Sequence, residues 1–428
     1  MTCTNDENCN GRVGECQGGV SRNGAKSDTI TRMINHVLML SLDTALALQP
    51  QGDSRVRHLA YAARMGKLTI IVYTPPHVGE AIHASEQLTI IPTNSRHPLT
   101  FLLDAMRLAE RVIRDGQINL ITVQDPFATG FVGMLLRERL RVPLLVQNHS
   151  FFFGNRVWLA EKPIRNRLLS VIGRVVISRA DFYRTVNEKE KQQYIAFGGS
   201  RRRVVALPLA TAAQSFAQTP DHEQLTALRS RLGLSAQNPV VLWVGYPVGF
   251  KRVPILFKVF KRVVSRIPGA KLVLIGDMSR SPIDLVALAQ GEGIGGCVII
   301  DGPVQHDQLP LYYALGTVYV HTSSYEGVPR VLFEASAAAL PLVAMDVVGV
   351  NEVIENGVNG YLAPDMDVDG MAGRIISLLQ DPILAKAMGE RARQIAFRRY
   401  DADRYIDTWV GIWKKAIRLG MRQRRGLM

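Results

Sequence analysis

Short apolar runs alternate along most of the chain with longer segments of helical spacing. In the first half, the runs cover residues 36–42, 68–73, 118–123, 143–147 and 203–207. Each run is nearly continuous in apolar residues, which is typical of strands buried on both faces of a parallel sheet. Segments between them, such as 99–114, carry apolar residues at helical spacing. The pattern therefore predicts a parallel sheet covered by helices on both faces.

The same alternation starts again after a small and polar segment at 211–222. Five further strands are predicted, at 240–244, 271–275, 297–301, 317–322 and 341–345. Helices are predicted near 253–266, 306–315, 330–339 and 350–355, and the stretch 367–419 is helical without a strand. Two doubly wound α/β domains follow, at 31–212 and 213–400, after a polar leader at 1–30 that we predict to be disordered. Because ligands in such sheets bind beyond the carboxyl ends of the strands, the site is expected in the cleft between the domains.

Composition agrees with a globular protein of two or three domains. The chain has 428 residues, of which 47% are hydrophobic, and this excludes collagen-like, low-complexity and wholly disordered classes. Four cysteines are too few for a disulfide scaffold, and the three in the leader fit no common zinc spacing. The N-terminus resembles no secretory signal, and no run reaches the length of a membrane span. We therefore expect a cytoplasmic protein that can lie on the inner face of the membrane.

The formal net charge of +14 is concentrated in two segments. Residues 156–203 hold 12 Lys or Arg against 4 Asp or Glu, and residues 414–425 hold 6 basic and no acidic residues. The first segment interleaves its arginines with aromatic and aliphatic residues, as a surface for anionic lipid headgroups would. Ordinary solvated helix faces would explain the same composition. Nucleic acid is the weakest alternative, since no recognition helix or aromatic strand motif is present.

The segment 317–339 predicts an anion site at the start of a helix. A strand ends near residue 324, a turn follows, and Pro329 suits the first helical position. The helix would then direct the free backbone N–H groups of Val328, Arg330 and Val331 into the cleft. Such N–H groups and the helix dipole favour a phosphate.

Two carboxylates and a lysine accompany this helix. Glu326 precedes the helix and Glu334 lies one turn after Arg330, and carboxylates beside an anion site suit hydroxyl groups of a sugar or ribose. Lys251, on the turn after the first strand of the second domain, could neutralise a departing phosphate. Together they predict a site for a sugar joined to a diphosphate. Each residue also has a structural interpretation: a capping acid for Glu326 and a solvated lysine for Lys251.

These residues resemble a known family. The spacing E-x7-E from Glu326 to Glu334, within YEGVPRVLFEASAAALPLVA, is similar to the signature of the retaining family 4 glycosyltransferases of the GT-B fold. The following VGVNEVIENGVNGYLAP resembles their next conserved block. The resemblance implies two Rossmann-like domains facing each other across a cleft, and a final helix within 401–428 that crosses back to the first domain. It implies transfer of a hexose-type sugar from a nucleotide-diphosphate sugar to a glycan or lipid-linked acceptor, as in polysaccharide biosynthesis.

The resemblance also assigns roles to residues. Glu326, Lys251 and His149 would be catalytic, and donor binding would involve Glu334, Gly327, Val328, Pro329 and Gly245. Two arginines join the donor-binding set by position: Arg330, whose backbone N–H belongs to the predicted anion site, and Arg252, which could supply charge at the phosphate turn if its side chain reaches the cleft. Asp277 joins the donor-binding set because it follows a strand and can approach the nucleotide. His149 could equally be a structural histidine, and Asp277 could equally serve a local role.

The sequence departs from the family pattern in two places. At the phosphate turn, Tyr246 and Arg252 stand where the family often has Arg and Gly. The loop 43–55 has a lone Gly52 in place of a Gly-Gly pair, so Asp43 or Arg55 could serve there instead. No D-x-D motif follows a strand, and we expect no cofactor and a reaction that does not need a metal. Two alternatives stay open: another GT-B sugar-nucleotide enzyme such as an epimerase, and a non-catalytic binding protein.

Overall fold

The computed structural model describes residues 35–97, 100–208, 213–218, 220–399 and 401–425. The leader at 1–30, predicted to be disordered, lies outside these residues. The described chain forms two α/β units, each built on its own sheet. The predicted fold class, two doubly wound domains facing each other across a cleft, is confirmed.

The first sheet has eight strands in the order β3-β4-β2-β1-β5-β6-β7-β8. All neighbouring strands pair in parallel except β3 and β4. Continuous apolar strands such as NHVLMLS are buried because helices cover both faces. The strands are β1 (Asn35–Ser41), β2 (Gly66–Val72), β3 (Ile82–His83), β4 (Leu88–Pro92), β5 (Leu120–Val123), β6 (Leu144–Gln147), β7 (Phe182–Thr185) and β8 (Val204–Ala206). The helices are α1 (Ala45–Leu48), α2 (Asp53–Met65), α3 (Thr100–Asp115), α4 (Ala128–Leu140), α5 (Arg156–Glu161), α6 (Pro163–Arg179) and α7 (Glu188–Ala196).

The second sheet has six parallel strands in the order β11-β10-β9-β12-β13-β14. Its core is continuous across both faces of the sheet. The elements are α8 (Ala213–Phe216), α9 (His222–Arg231), β9 (Val240–Val244), α10 (Val253–Arg266), β10 (Lys271–Ile275), α11 (Leu285–Gly291), β11 (Val298–Asp301), α12 (Leu309–Leu315), β12 (Val318–His321), α13 (Arg330–Ala337), β13 (Leu342–Met345), β14 (Gly360–Ala363), α14 (Val368–Gln380) and α15 (Pro382–Arg399).

The last helix, α16 (Ala402–Arg425), packs on the first unit rather than the second. Its apolar face, including Trp409 and Trp413, is buried in the core beside Tyr61 of α2. Arg64 of α2 adds ion pairs with Asp403 and Asp407 at the surface. The chain therefore crosses from one unit to the other twice, and the second crossing ties them together.

The structure corrects one predicted helix and adds four strands. Residues 350–355 are not a helix: a bond from the Val353 N–H to the Val350 carbonyl (3.0 Å) closes a turn, and Val350, Val353 and Ile354 are buried. Gly349 precedes this turn with a left-handed φ of 87°. The strands β3, β4, β7 and β14 were not predicted, because they are short or, in β7, carry an arginine.

Candidate functional site

Adjacent strands of the second sheet bring the predicted lysine and carboxylate together. Strands β9 and β12 are neighbours, and the loops that follow both leave the same edge of the sheet. The loop after β9 ends in a 3-10 turn, Gly249–Lys251. The Ser324 N–H donates to the Phe250 carbonyl (2.8 Å), and the Thr322 hydroxyl donates to the Lys251 carbonyl (2.9 Å). These bonds hold the two loops at a fixed separation.

Glu326 is the centre of a hydrogen-bonded group at this edge. Its Oε1 accepts from Lys251 Nζ at 2.6 Å, from the Ser323 hydroxyl at 2.8 Å and from His321 Nε2 at 3.1 Å. Burial alone would raise the pKa of Glu326, but the charge of Lys251 and the bond from His321 lower it to about 2. The carboxylate is therefore ionised at neutral pH. All three donors bind the same oxygen, Oε1.

Glu334 is buried on α13 and holds two partners from the same unit. Its Oε2 accepts from the Tyr313 hydroxyl at 2.9 Å, and His306 Nε2 lies 3.9 Å from Oε1. The nearby carboxylate of Glu334 raises the pKa of His306, despite partial burial. A buried carboxylate needs such partners.

The start of α13 reaches the first unit through an ion pair. Pro329 is the residue before the first helical turn, and Val328 packs against the core of the second unit. The Arg330 Nη2 lies 3.0 Å from Asp53 of α2, which also pairs with Arg57 at 2.8 Å. Burial raises the pKa of Asp53, but the charges of Arg57 and Arg330 outweigh it and leave the pKa below its ordinary value. The ion pair therefore joins the two walls of the cleft.

Gly327 brings the backbones of the two units into contact. A Cβ at this position would lie 2.1 Å from the His149 carbonyl oxygen and 2.9 Å from Val186. The Asn187 side chain donates to the Gly327 carbonyl at 3.3 Å. Only glycine fits this approach, so the loop that carries Glu326 stands directly against the loop after β6.

His149 is held in one tautomer by a buried arginine. Arg184 of β7 is fully buried, and its Nη1 lies 3.2 Å from His149 Nδ1. A guanidinium can only donate, so Nδ1 accepts and the ring proton sits on Nε2. Burial and then the charge of Arg184 push the pKa of His149 well below its ordinary value. His149 is therefore a neutral imidazole that offers an N–H donor.

The remaining predicted residues lie around this centre. Arg252, in a left-handed conformation at the start of α10, pairs with Asp365 beyond β14. Gly245, after β9, lies against Gly276, where a Cβ would come within 1.9 Å of the Gly245 carbonyl. Asp277 bonds locally to Ser279 and Arg280, and the hydroxyl of Ser279 lowers its pKa. Asp277 thus caps a surface turn.

A polar cavity of about 260 Å³ extends from the cleft into the first unit. It lies at the carboxyl ends of β1, β5 and β6, and Arg330 and the final helix complete its wall. Its polar lining includes Asp43, His58, Gln124, Gln147 and His149. The His58 Nδ1 lies 2.6 Å from the Ser54 carbonyl, so its Nε2 is an acceptor, opposite in polarity to His149. The cavity therefore offers hydrogen-bond donors for the lone pairs of a bound hydroxyl group and an acceptor for its proton.

Sequence reasoning missed several partners in this site. His321 and Ser323 lie at the end of a predicted strand, where side chains converge, so this position was a signal that could have identified them. Four other residues contact the site only through tertiary packing: Tyr313, His306, Asp53 and Arg184. Arg55 is buried and donates to the carbonyls of Leu46 and Ala47, so it holds the loop 43–55 together. Among the described residues, no cluster of His, Cys, Asp or Glu has the geometry of a metal site.

No helix within the described ranges is long and apolar enough to cross a membrane. The cytoplasmic location stays a prediction.

Comparison with known proteins matches both units. Residues 226–395 match the family model described as "Glycosyl transferases group 1", and residues 42–210 match "Glycosyl transferase 4-like domain". An alpha-D-kanosaminyltransferase of Streptomyces kanamyceticus is 28% identical over 297 residues, which cover 67% of this chain and 74% of the relative. A D-inositol 3-phosphate glycosyltransferase of Mycobacterium avium is 26% identical over 304 residues, covering 70% of each chain.

Solved structures show the same architecture. The Anabaena protein Alr3699/HepE, in complex with UDP and glucose, aligns with a TM-score of 0.71 at 18% identity and covers 89% of this chain and 99% of its own. A sucrose-phosphate synthase from Thermosynechococcus elongatus aligns with a TM-score of 0.72 at 21% identity, covering 92% and 99%. At these identities the likeness establishes the fold.

Proposed function

Since the chain belongs to the group 1 glycosyltransferases of the GT-B fold, we propose that it moves a hexose-type sugar from a nucleotide-diphosphate sugar to a hydroxyl of a glycan or lipid-linked acceptor, with retention of anomeric configuration. The observation that carries the proposal is the pair of Lys251 and Glu326 beside the amide end of α13. One cation and one amide terminus suit a diphosphate, and the carboxylates suit sugar hydroxyls.

Lys251 supplies the charge that the departing diphosphate requires. An ammonium has three donors, so Nζ can keep its bond to Glu326 and still bind a phosphate oxygen. As the bond from the anomeric carbon to the diphosphate breaks, negative charge grows on the leaving oxygen. Lys251 and the N–H groups at the start of α13 stabilise that charge, and the proposed reaction requires no metal.

The side chains of the site are poor bases, which favours a role for the leaving group itself. Glu326 has a pKa of about 2, and His149 is a neutral imidazole whose Nδ1 is occupied by Arg184. In the proposed step, the acceptor oxygen bonds to the anomeric carbon on the face that the diphosphate leaves. The proton of the acceptor hydroxyl passes to the departing diphosphate. Attack on that face gives retention.

The donor and acceptor would meet across the cleft. Glu334 would bind ribose hydroxyls in place of its contact with His306. Hydroxyls of the donor sugar would bind to Glu326 Oε2 and to His149 Nε2. The polar cavity would admit the acceptor. The basic residues at 156–203 fit a lipid-linked or otherwise anionic acceptor and contact with an anionic membrane. The second unit would thus hold the donor, with His149 reaching it from the first unit, and the acceptor would enter from the first unit.

Calorimetry with UDP-, GDP- and ADP-sugars, followed by a donor-hydrolysis assay, tests this function. We expect one sugar nucleotide to bind and to be hydrolysed slowly without acceptor. NMR from the first turnover should show the released sugar in the same anomeric form, α or β, that it has in the donor. Turnover to an isomeric sugar nucleotide without an acceptor would indicate an epimerase, and binding without turnover would indicate a binding protein.

The Glu334→Ala variant sharpens the test. We expect it to lose donor binding while its circular dichroism stays that of the wild type. Tyr313→Phe is the matched control, because it removes the hydrogen bond to Glu334 and keeps the carboxylate. Wild-type transfer by Glu334→Ala would contradict the assignment.

A further inference from the structure

Helix α6 (Pro163–Arg179) carries an apolar stripe on the face that points away from the protein. Ile164, Leu168, Val171 and Val175 are 87%, 60%, 60% and 46% exposed. Their spacing of four, three and four residues places them on one side of a helix. The core side of α6 is formed by Asn166, Ser170, Gly173, Val176 and Ile177, which lie on the opposite side. A helix that is buried on one side and carries an exposed apolar stripe on the other can take a second partner.

An exposed aromatic side chain lies beside α6. Phe197, at the end of α7, is 74% exposed, and Arg174 of α6 lies 5.4 Å from the centre of its ring. Ile383 on α15 and Leu103 on α3 are also strongly exposed, but neither helix has a row of four exposed aliphatic residues. The stripe on α6 is therefore a row and not a scatter of single apolar side chains, and Arg174 lies between its last turns and Phe197.

Basic residues surround the stripe. Helix α6 has Arg165, Arg167, Arg174 and Arg179 and contains no Asp or Glu. Glu138 of α4, which reaches the last turn, is shared by Arg137 and Arg179. The 3-10 turn Arg201–Arg203 adds further exposed basic side chains near Phe197.

We propose that α6 and Phe197 form the surface by which this protein docks on a bilayer of anionic lipids. Apolar side chains in the middle of a basic face match the interface, where acyl chains lie beneath anionic headgroups. A second copy of the chain fits less well, because a symmetric contact would set the arginines of α6 against themselves. The helix follows α5, whose Glu161 accepts from Tyr325 beside Glu326 (3.1 Å). Docking would therefore place the cleft next to the bilayer.

Vesicle sedimentation of the full chain tests the surface without any sugar donor. We expect binding to vesicles of phosphatidylcholine with phosphatidylglycerol, weaker binding at high salt, and little binding to phosphatidylcholine alone. The double variant Leu168→Ser/Val171→Ser should bind these anionic vesicles about tenfold less tightly or worse, since each buried aliphatic side chain contributes substantially. Both positions are exposed, so folding should be unaffected.

Matched variants separate the surface from general effects. Ile383→Ser, at a still more exposed aliphatic position on the other unit, should bind vesicles like the wild type. Arg165→Gln/Arg167→Gln should bind several-fold more weakly, whereas Arg107→Gln on α3 should not. Full binding by Leu168→Ser/Val171→Ser, or no binding of the wild type to anionic vesicles, would overturn the proposal. So would a wild-type dimer that this double variant converts to a monomer.

The docking surface and the proposed transfer can fail independently. Donor binding and donor hydrolysis in solution should be the same in the wild type and in Leu168→Ser/Val171→Ser. Loss of vesicle binding with normal donor hydrolysis would support the surface alone. Normal vesicle binding without donor binding would contradict the proposed function and leave the surface in place.

Discussion

The two sheet edges that face each other across the cleft differ in how their polar groups are arranged. The edge of the second unit is ionic: Lys251 pairs with Glu326, and Arg252 pairs with Asp365. The edge of the first unit mixes neutral and charged groups, since amides and imidazoles line the cavity together with Asp43 and Arg57. Burial, with the charge of Arg57, lowers the pKa of His58 to about 4. One fold thus supports two kinds of recognition at equivalent positions.

The difference indicates which edge of the cleft would control the rate of turnover and which would control the choice between substrates. Fixed charges act on charge that develops during reaction, so changes on the ionic edge should alter turnover. Neutral donors and acceptors distinguish hydroxyl patterns with little effect on a developing charge. Variants on the ionic edge are therefore expected to have the largest effects on the chemical step.

The Lys251→Ala variant should show the largest effect. Removing the cation beside the diphosphate should lower turnover at saturating donor by about 10²–10³, because no other ammonium in the described site contacts Glu326. The same change should raise the pKa of Glu326 toward its ordinary value, because His321 would then oppose the effect of burial without the charge of Lys251. Steady-state kinetics and a carbon-detected NMR titration of Glu326 measure the two quantities.

Lys261→Ala is the control, because Lys261 also pairs with a glutamate (Glu292, 3.1 Å) but on the outer surface of the same unit. Its turnover should equal that of the wild type. If Lys251→Ala changed only the affinity for the acceptor, the contrast between the two edges would be wrong.

The Gly327→Ala variant should have an intermediate effect, on the contact between the edges. The new Cβ would lie 2.1 Å from the His149 carbonyl oxygen, a backbone atom that cannot turn aside as a side chain can. We expect the free energy of unfolding to fall by about 1–3 kcal/mol, or the equilibrium between closed and open cleft to shift toward the open form by an equivalent free energy. Small-angle scattering and denaturant unfolding report the two outcomes.

Gly249→Ala provides the comparison, since a Cβ at Gly249 would meet nothing within 4 Å although Lys251 is two residues away. Equal behaviour of the two variants would show that the units do not approach this closely in solution.

The sequence was sufficient to predict the fold class and the elements that carry the strongest local signals. Strands β1, β2, β9 and β10 are long apolar runs, as strands that are buried on both faces of a sheet must be. Strand β7 could not be found this way, because Arg184 is acceptable in a central strand only through its contacts with His149 and Trp409. These contacts come from distant parts of the chain.

The candidate site was predictable in the same uneven way. Glu326 and Glu334 lie within one local motif, so their spacing predicted that they share an edge. Asp53 was not predicted, because its partner Arg330 belongs to the other unit and the pairing depends on how the units face each other. Local patterns therefore predicted each half of the site, and only tertiary structure shows how the halves join.

The ion pair between Asp53 and Arg330 should have the smallest effect and decides whether the two edges face each other in the free protein. Both side chains are about one-third exposed, so we expect a coupling energy of about 0.2–1 kcal/mol in a double-mutant cycle with Asp53→Ala and Arg330→Ala. Denaturant unfolding at low and high salt measures it, and salt should reduce it because the pair is reached by solvent. A double-mutant cycle on Lys261 and Glu292, which lie within one unit, should show a coupling energy whether the cleft is open or closed. Coupling in that cycle but none between Asp53 and Arg330 would mean that the cleft is open without substrate. The two edges would then meet only when a donor brings them together.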